Sequence, residues 1–478
     1  MTPVLTLFLI IFIEGYVVLS TELLAIRQLI PFTGNGTDTI SIIIAAVLMP
    51  LAFGYYAGGS FKPAVKGSQR ETVRRRLLRN LAVAGIILSA GLSYSFINWT
   101  FETVFFVTDI YNRFFLTTLY ALLFLVYPIY LLGQTVPLIS NYFSRERLPV
   151  MAGRIMFFST IGSFAGSVFC TLVLIALAGV HNAVIVTIAA ITLMAFIIAK
   201  KDMWKAPAVT VLALGIAILL NNESAMKRQG IVNDNAYNTV QIEDDLLQNF
   251  RILHLNRTYS SGINLDSTEP LFPYFKFVED YFIAPLKQGD WPPHNILIIG
   301  AGGFALGRTD AKNNYIYVDI DPDLKDISEM LFLKEKIGVN KKFAALPARA
   351  FLNRSKDKFD LIILDIFLGP SYSPEHLVTR EFFQQVKEHL KNGGVMVGNY
   401  VGSTSYQDEF SQNLDNTLRS VFPNLGRHLF GPVITQQNNK SDWNNIGYYY
   451  IHRPDASRTI YTDDLNKSFY DKPSELPH

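Results

Sequence analysis

The chain has 478 residues, half of them hydrophobic, with a formal net charge of +2 and a mean hydropathy of +0.23. A near-neutral chain without a long basic tract outside its apolar half argues against a nucleic-acid partner. Its single cysteine, Cys170, excludes an internal disulfide and leaves no basis for a cysteine-built metal site or nucleophile, and no metal is expected.

The length calls for two or three domains, and the apolar residues crowd before residue 222. Runs long enough to cross a bilayer occur at about 3–30, 38–58, 78–97, 114–141, 151–180, 182–199 and 206–221, so the expectation is a helical membrane domain over 1–221 with about seven spans. The first run has no basic start and no small-residue cleavage site, and reads as a retained helix. Basic residues gather in alternate loops: Lys62 to Arg79, Arg145 with Arg147, and Lys200 to Lys205. By the positive-inside rule those loops are cytoplasmic, which puts everything after residue 221 outside the cytoplasm if the seventh run crosses, and inside if it does not. Glu14 and Glu22 lie eight apart on one side of the first helix, with Arg27 about a turn further on. Intramembrane carboxylates of this kind are either a functional site or a structural link, for which Gln134 and Thr135 are the candidate partners. Gly162, Gly166 and Ser167 read as a close helix-packing surface.

From residue 222 the pattern changes. YNTVQIED (237–244) and RILHLN (251–256) alternate like strands and define a small antiparallel β domain over 222–268. A helix is expected over 270–286, and then strands alternate with helices: NILIIG (295–300), a glycine turn opening a helix, IYVDID (316–321), a helix at 323–336, KFAAL (342–346), FDLIILDIF (359–367), a helix at 378–391 and GGVMVGNYV (393–401). Apolar strands separated by helices imply a doubly wound, mostly parallel sheet over 269–455, with its ligand beyond the carboxyl ends of the strands. WNNIGYYYIH (443–452) reads as a buried strand near the sheet edge, and 456–478 as a polar tail. Gly300, Gly302 and Gly303 would let backbone approach a ligand, and Asp319, with Asp321 just after it, stands where such folds bind ribose hydroxyls. The same glycines could simply permit tight packing.

The run from YNTVQI through YVDIDP and FDLIILDIF to PEHLVTREFF and LKNGGVMVGN resembles the spermidine synthase family of aminopropyltransferases. STELLAIRQLI (20–30) and LLGQTVPLIS (131–140) resemble the multi-pass segments fused to some of its members. The resemblance implies a class I methyltransferase-like fold behind a small β domain, self-association into a dimer, and an adenosine-type ligand: decarboxylated S-adenosylmethionine, S-adenosylmethionine or methylthioadenosine. It implies Asp365 as the catalytic acid that acts as base, Tyr274 as a site tyrosine, and Asp319 as the ribose acid. Against the family pattern, Phe304 stands where an acid holds the reacting amine, Pro347 where an acid reads the adenine, and Leu368 where a second aspartate follows Asp365. Tyr259 with Ser260 replaces a Gln-Ser pair, and Phe275 replaces a histidine. Lost acids weaken recognition of polycations. Three readings follow: a repurposed, non-catalytic binding or assembly module held in the bilayer and meeting a partner outside; a transferase of altered specificity using Asp365; and a transporter with a regulatory domain, which only Glu14 and Glu22 favour.

Overall fold

The computed structural model describes residues 3–34, 37–62, 69–108, 112–140, 148–267, 270–367, 373–406, 408–430 and 443–453. The expected tail 456–478, Leu368, Arg145 and Arg147 lie outside them.

The first half is a helical bundle. Helices α1 (Pro3–Thr33), α2 (Thr37–Gly59), α3 (Gln69–Gly91) and α4 (Tyr94–Thr108) come first. A continuous stretch follows from α5 (Arg113–Ala121) through a π-helical turn into α6 (Tyr127–Gly133) and α7 (Thr135–Ser140). Then α8 (Leu148–Phe169) leads through a second π-helical turn into α9 (Ala176–Ile198), and α10 (Lys205–Asn221) and the short α11 (Glu223–Arg228) close the bundle. Among the described residues, four helical stretches are long and apolar enough to cross a membrane: Val4–Thr33, Thr37–Gly59, Phe114–Ser140 and Met151–Ile198; α3 and the start of α4 make a fifth if taken together.

The seven apolar runs therefore map onto fewer such helices, for local reasons. The third run belongs to a helix that starts among arginines and bends by 70° into α4. Gln28 caps a carbonyl freed there, donating to Leu92 O at 3.0 Å. Met151–Ile198 is one apolar 48-residue stretch, but two helices meet in it: Gly179 leaves helical geometry at φ +81° and ψ 164°, at the boundary expected between the fifth and sixth runs. The seventh, α10, has 17 residues, about 25 Å of helix. It nevertheless runs from one end of the bundle to the other: it starts beside the Lys201–Met203 turn, whose Asp202 lies 3.8 Å from Arg75, and ends where Asn221 donates to Ser93 Oγ at 2.6 Å. Small residues set the closest packing, since a Cβ on Gly162 or Gly166 would collide with α1 backbone at Phe12 or Tyr16.

The second half begins with an antiparallel sheet, β1 (Ile231–Asp234), β2 (Thr239–Asp245), β3 (Phe250–Leu255) and β4 (Thr258–Asn264), in sequential order. After α12 (Pro273–Val278), a π-helical turn and α13 (Ala284–Lys287) comes the main sheet. Its strands are β5 (Asn295–Ile299), β6 (Asn314–Asp319), β7 (Lys341–Ala345), β8 (Phe359–Leu364), β9 (Leu390–Ser403), β10 (Gly426–Leu429) and β11 (Trp443–Ile451). They lie in the order β10-β11-β9-β8-β5-β6-β7, with β5 to β9 parallel and β11 antiparallel to both neighbours. This mixed sheet is the methyltransferase-like arrangement. Helices α14 (Leu324–Ile327), α15 (Ala348–Arg354), α16 (Arg380–Glu388) and α17 (Glu409–Val421) complete it.

Alternation along β5 sorts the core. Ile296 and Ile298 face a cluster shared with Val240 and Leu253 of the small sheet, with Tyr274 and with Phe332. Leu297 and Ile299 face the other cluster, with Phe382, Phe383 and Leu418 from α16 and α17. The small sheet thus covers one face of the main sheet. The helix expected after the glycine turn does not form: residues 301–313 run through turns from β5 to β6.

The two halves meet at the end of the bundle away from Arg75 and Asp202. There Arg27 pairs with Asp234 at 3.1 Å, and Arg257 lies 3.6 Å from Glu102 and over the Phe32 ring at 4.9 Å.

Candidate functional site

The parallel strands end together on one edge, where Asp319 closes β6 and Asp365 follows β8. Gly300 follows β5 at φ +91°, and its N–H donates to Val318 O at 2.9 Å. An added Cβ would strike Asp365 O, so the glycine is required by the neighbouring strand end. At Gly302, φ +50°, a Cβ would lie 2.7 Å from Ser261 Oγ, while Gly303 is crowded by the Phe332 ring. Ser261 anchors this turn from β4, accepting from Gly303 N at 2.8 Å. These glycines hold the turn against β8, β4 and Phe332, and the helix expected to follow it does not form.

Asp319 closes β6 beside the turn. Its Oδ2 accepts from Ala301 N at 3.0 Å and its Oδ1 from Asp321 N at 3.1 Å. It remains half-buried, and burial pushes its carboxyl up to about 6 against the pull of those amides. Asp365 leaves β8 with its N–H on Ile299 O at 2.9 Å. Asn399 of β9 donates to Asp365 Oδ1 at 2.9 Å and is itself oriented by Asn445 Nδ2, also at 2.9 Å. Burial lifts Asp365 to about 6 as well, moderated by the Asn399 bond. Because β5 lies between β6 and β8, the strands that lead to Asp319 and Asp365 run about 10 Å apart across the sheet.

Tyr274, on α12, reaches the same edge. It is 3% exposed, packs edge-on against Phe430 at 5.8 Å, and its hydroxyl has no hydrogen-bond partner among the described residues. Burial, and then the nearby Asp365 charge, hold the phenol well above its ordinary range, so it stays a neutral donor. An orphaned buried donor beside a carboxylate of raised pKa is suited to receiving a polar ligand atom.

Other candidates go elsewhere. Asp321 is fully buried and turned toward the small sheet, accepting from Asn235 Nδ2 at 2.8 Å and Asn238 Nδ2 at 2.9 Å. Phe304 has φ +59° and is 1% exposed, its ring packed on Tyr317 and Phe343 in the core. Pro347 is the residue before α15. Tyr259 is 44% exposed with its ring tilted against His254 at 4.8 Å, whereas Phe275 is buried. In the bundle, Gln134 serves Arg76 and Asn80 rather than a carboxylate of α1. Glu14 is buried with Oε1 unpartnered among the described residues, Glu22 is half-buried, and Arg27 turns to Asp234. No cluster of three metal-ligating side chains occurs among the described residues. Sequence reasoning missed Asn399 and Ser261; an Asn inside the apolar run VMVGNYV was the available signal for the first.

Residues 279–433 match the spermine/spermidine synthase domain. The chain is 36% identical over 137 residues to a polyamine aminopropyltransferase of Vibrio vulnificus, covering 27% of this chain and 44% of that protein. It is 34% identical over 131 residues to a probable polyamine aminopropyl transferase of Bifidobacterium longum, covering 27% and 28% respectively. The matches thus span less than half the length of these curated relatives. Among solved structures, a probable spermidine synthase from Corynebacterium glutamicum aligns with a TM-score of 0.39 at 20% identity, over 49% of this chain and 82% of that one.

Proposed function

Given the spermine/spermidine synthase domain in the α/β half of this chain, we propose that the protein is an integral membrane protein whose domain is a repurposed binding module for an adenosine-type ligand. The observation that carries this reading is the uneven survival of the site. Asp319 still presents a carboxylate beside the glycine turn. The position of the expected amine-holding acid is Phe304, buried in the core. Ribose hydroxyls would bind Asp319, whereas a polycation would find Asp365 with few companions. Each missing charge-assisted bond forgoes about 1.5–3 kcal/mol, so transfer to an ordinary polyamine is not expected.

The proposed orientation has the basic loops in the cytoplasm and the α/β half outside. Two features support it: α10 runs the length of the bundle, and the α/β half contacts the end opposite the Arg75–Asp202 pair. The proposed partners are the bilayer, a second copy of the chain, and a protein met on the outer face.

The test is calorimetric titration of the purified full chain with methylthioadenosine, beside Asp319→Ala and a transfer assay using decarboxylated S-adenosylmethionine and putrescine. Binding that Asp319→Ala abolishes, without transfer, is expected. Transfer at the rate of an ordinary aminopropyltransferase would refute the module reading. A second reading, transfer to a less cationic acceptor with Asp365 as base, draws on its raised pKa and on the orphaned Tyr274 hydroxyl. It requires an acceptor-dependent product that Asp365→Asn eliminates.

A further inference from the structure

A continuous hydrogen-bonded path joins the first helix of the bundle to the ligand edge. Arg27 is 6% exposed; its Nη2 donates to Asp234 Oδ1 at 3.1 Å and its Nε to Asn235 O at 2.8 Å. The Thr239 hydroxyl donates to the same Asp234 oxygen at 3.0 Å. One guanidinium therefore grips a side chain and a backbone carbonyl of adjacent residues, which fixes the turn between β1 and β2. Asn235 completes that turn, its Oδ1 accepting from Tyr237 N at 2.8 Å and Asn238 N at 3.0 Å. Its Nδ2 donates outward to Asp321 Oδ1 at 2.8 Å and Asp323 Oδ2 at 2.7 Å, while Asn238 Nδ2 holds the other Asp321 oxygen at 2.9 Å. With both carboxylate oxygens held, Asp321 cannot swing, and its N–H donates to Asp319 Oδ1 at 3.1 Å. The second Asp319 oxygen receives Ala301 N of the glycine turn.

We infer that Arg27 is a positioning residue for the ligand site: by clamping the 234–239 turn it fixes Asp321, and through the Asp321 amide it sets the carboxylate plane of Asp319. The inference rests on reading Asp319 as the ribose acid. It goes beyond that reading by making the site's geometry depend on a helix of the bundle more than 200 residues away in sequence. By linkage, a ligand that orders Asp319 also favours the Arg27 grip, so the ligand-bound domain and the bundle stabilise each other's arrangement.

The experiment uses the full chain in detergent micelles. Methylthioadenosine affinity is measured for the natural sequence, Arg27→Gln, Asp321→Asn and the double variant, together with Arg257→Gln. The last removes another contact between the halves, with Glu102 and the Phe32 ring, that has no link to Asp319. Expected are losses of at least about fivefold for each of the first two, no further loss in the double variant because both act along one path, and no change for Arg257→Gln. In parallel, hydrogen exchange at the Asp321 and Ala301 amides of the ligand-free protein is expected to accelerate in Arg27→Gln and not in Arg257→Gln. Unchanged affinity and exchange in Arg27→Gln would overturn the inference, as would equal effects from Arg257→Gln. If the natural sequence binds no methylthioadenosine, the ribose reading fails, and the exchange measurement alone decides whether Arg27 positions Asp319.

Discussion

Replacing Tyr274 by phenylalanine separates what the fold needs from what a ligand needs. The ring packs edge-on against Phe430 at 5.8 Å and against Phe275 at 6.1 Å, and phenylalanine keeps both contacts. Only the hydroxyl is lost, and at 3% exposure it has no partner among the described residues. A desolvated, unsatisfied hydroxyl costs about 1–3 kcal/mol. Its removal leaves an oxygen-sized gap, so the net gain in stability for Tyr274→Phe is about 1–2 kcal/mol, or about 2–4 °C in Tm per kcal/mol for a domain of this size. A ligand that accepts from the hydroxyl would lose one neutral hydrogen bond of about 0.5–1.5 kcal/mol, weakening its binding roughly two- to twelvefold. The assay is thermal unfolding of the full chain in detergent, without and with methylthioadenosine. The variant should melt higher alone and gain less from ligand. A variant that melts more than about 2 °C lower without ligand would refute the reasoning, because the hydroxyl would then have a partner that the fold depends on.

Three further outcomes are expected. Asp319 and Asp365 have folded pKa values raised to about 6, above the roughly 3.9 of an unfolded aspartate. Between those values the folded state holds more protons, so the stability they contribute is full below about pH 4 and is lost as pH rises through about 6. Urea unfolding across that window should flatten in Asp319→Asn and Asp365→Asn, and a profile that stays steep in both would contradict the assignment. Gly302→Ala should cost about 1–3 kcal/mol from its positive φ and the approach to Ser261 Oγ, read in the same unfolding assay. Side-specific labelling of single cysteines placed at Asp202 and Leu247 in a Cys170→Ser background should find them on opposite faces of the membrane; labelling from one face would overturn the proposed orientation.

The alternation of strands in the second half was legible because parallel strands buried on both faces read as unbroken apolar runs, as in NILII and FDLIIL. Strands β1 and β4 carry IVND and TYSSGIN, too short or too polar to announce themselves. The helix expected after the glycine turn was a pattern inference that the residues themselves oppose. Gly302 and Gly307 adopt positive φ, and Asp310 ties back to Asn313 and Tyr315, so the segment spends its hydrogen bonds on turns. The boundary between the runs 151–180 and 182–199 was legible, since Gly179 breaks the helix there at φ +81°. Asp319 and Asp365 could be placed at strand ends from sequence. The partner of Arg27 could not, because nothing local links two residues 207 apart.

That separation also has a meaning for how the chain is made. Ribosomes add about 5–20 residues per second, so Arg27 is synthesised roughly 10 to 40 s before Asp234 and Asn235 exist. During that interval the guanidinium must stay hydrated. Its place at the end of the bundle, rather than midway along α1, allows this, since water can reach it until the following sheet arrives. This contact of the first helix is thus made late, and a nascent chain stalled before residue 234 would carry an open, charged bundle end.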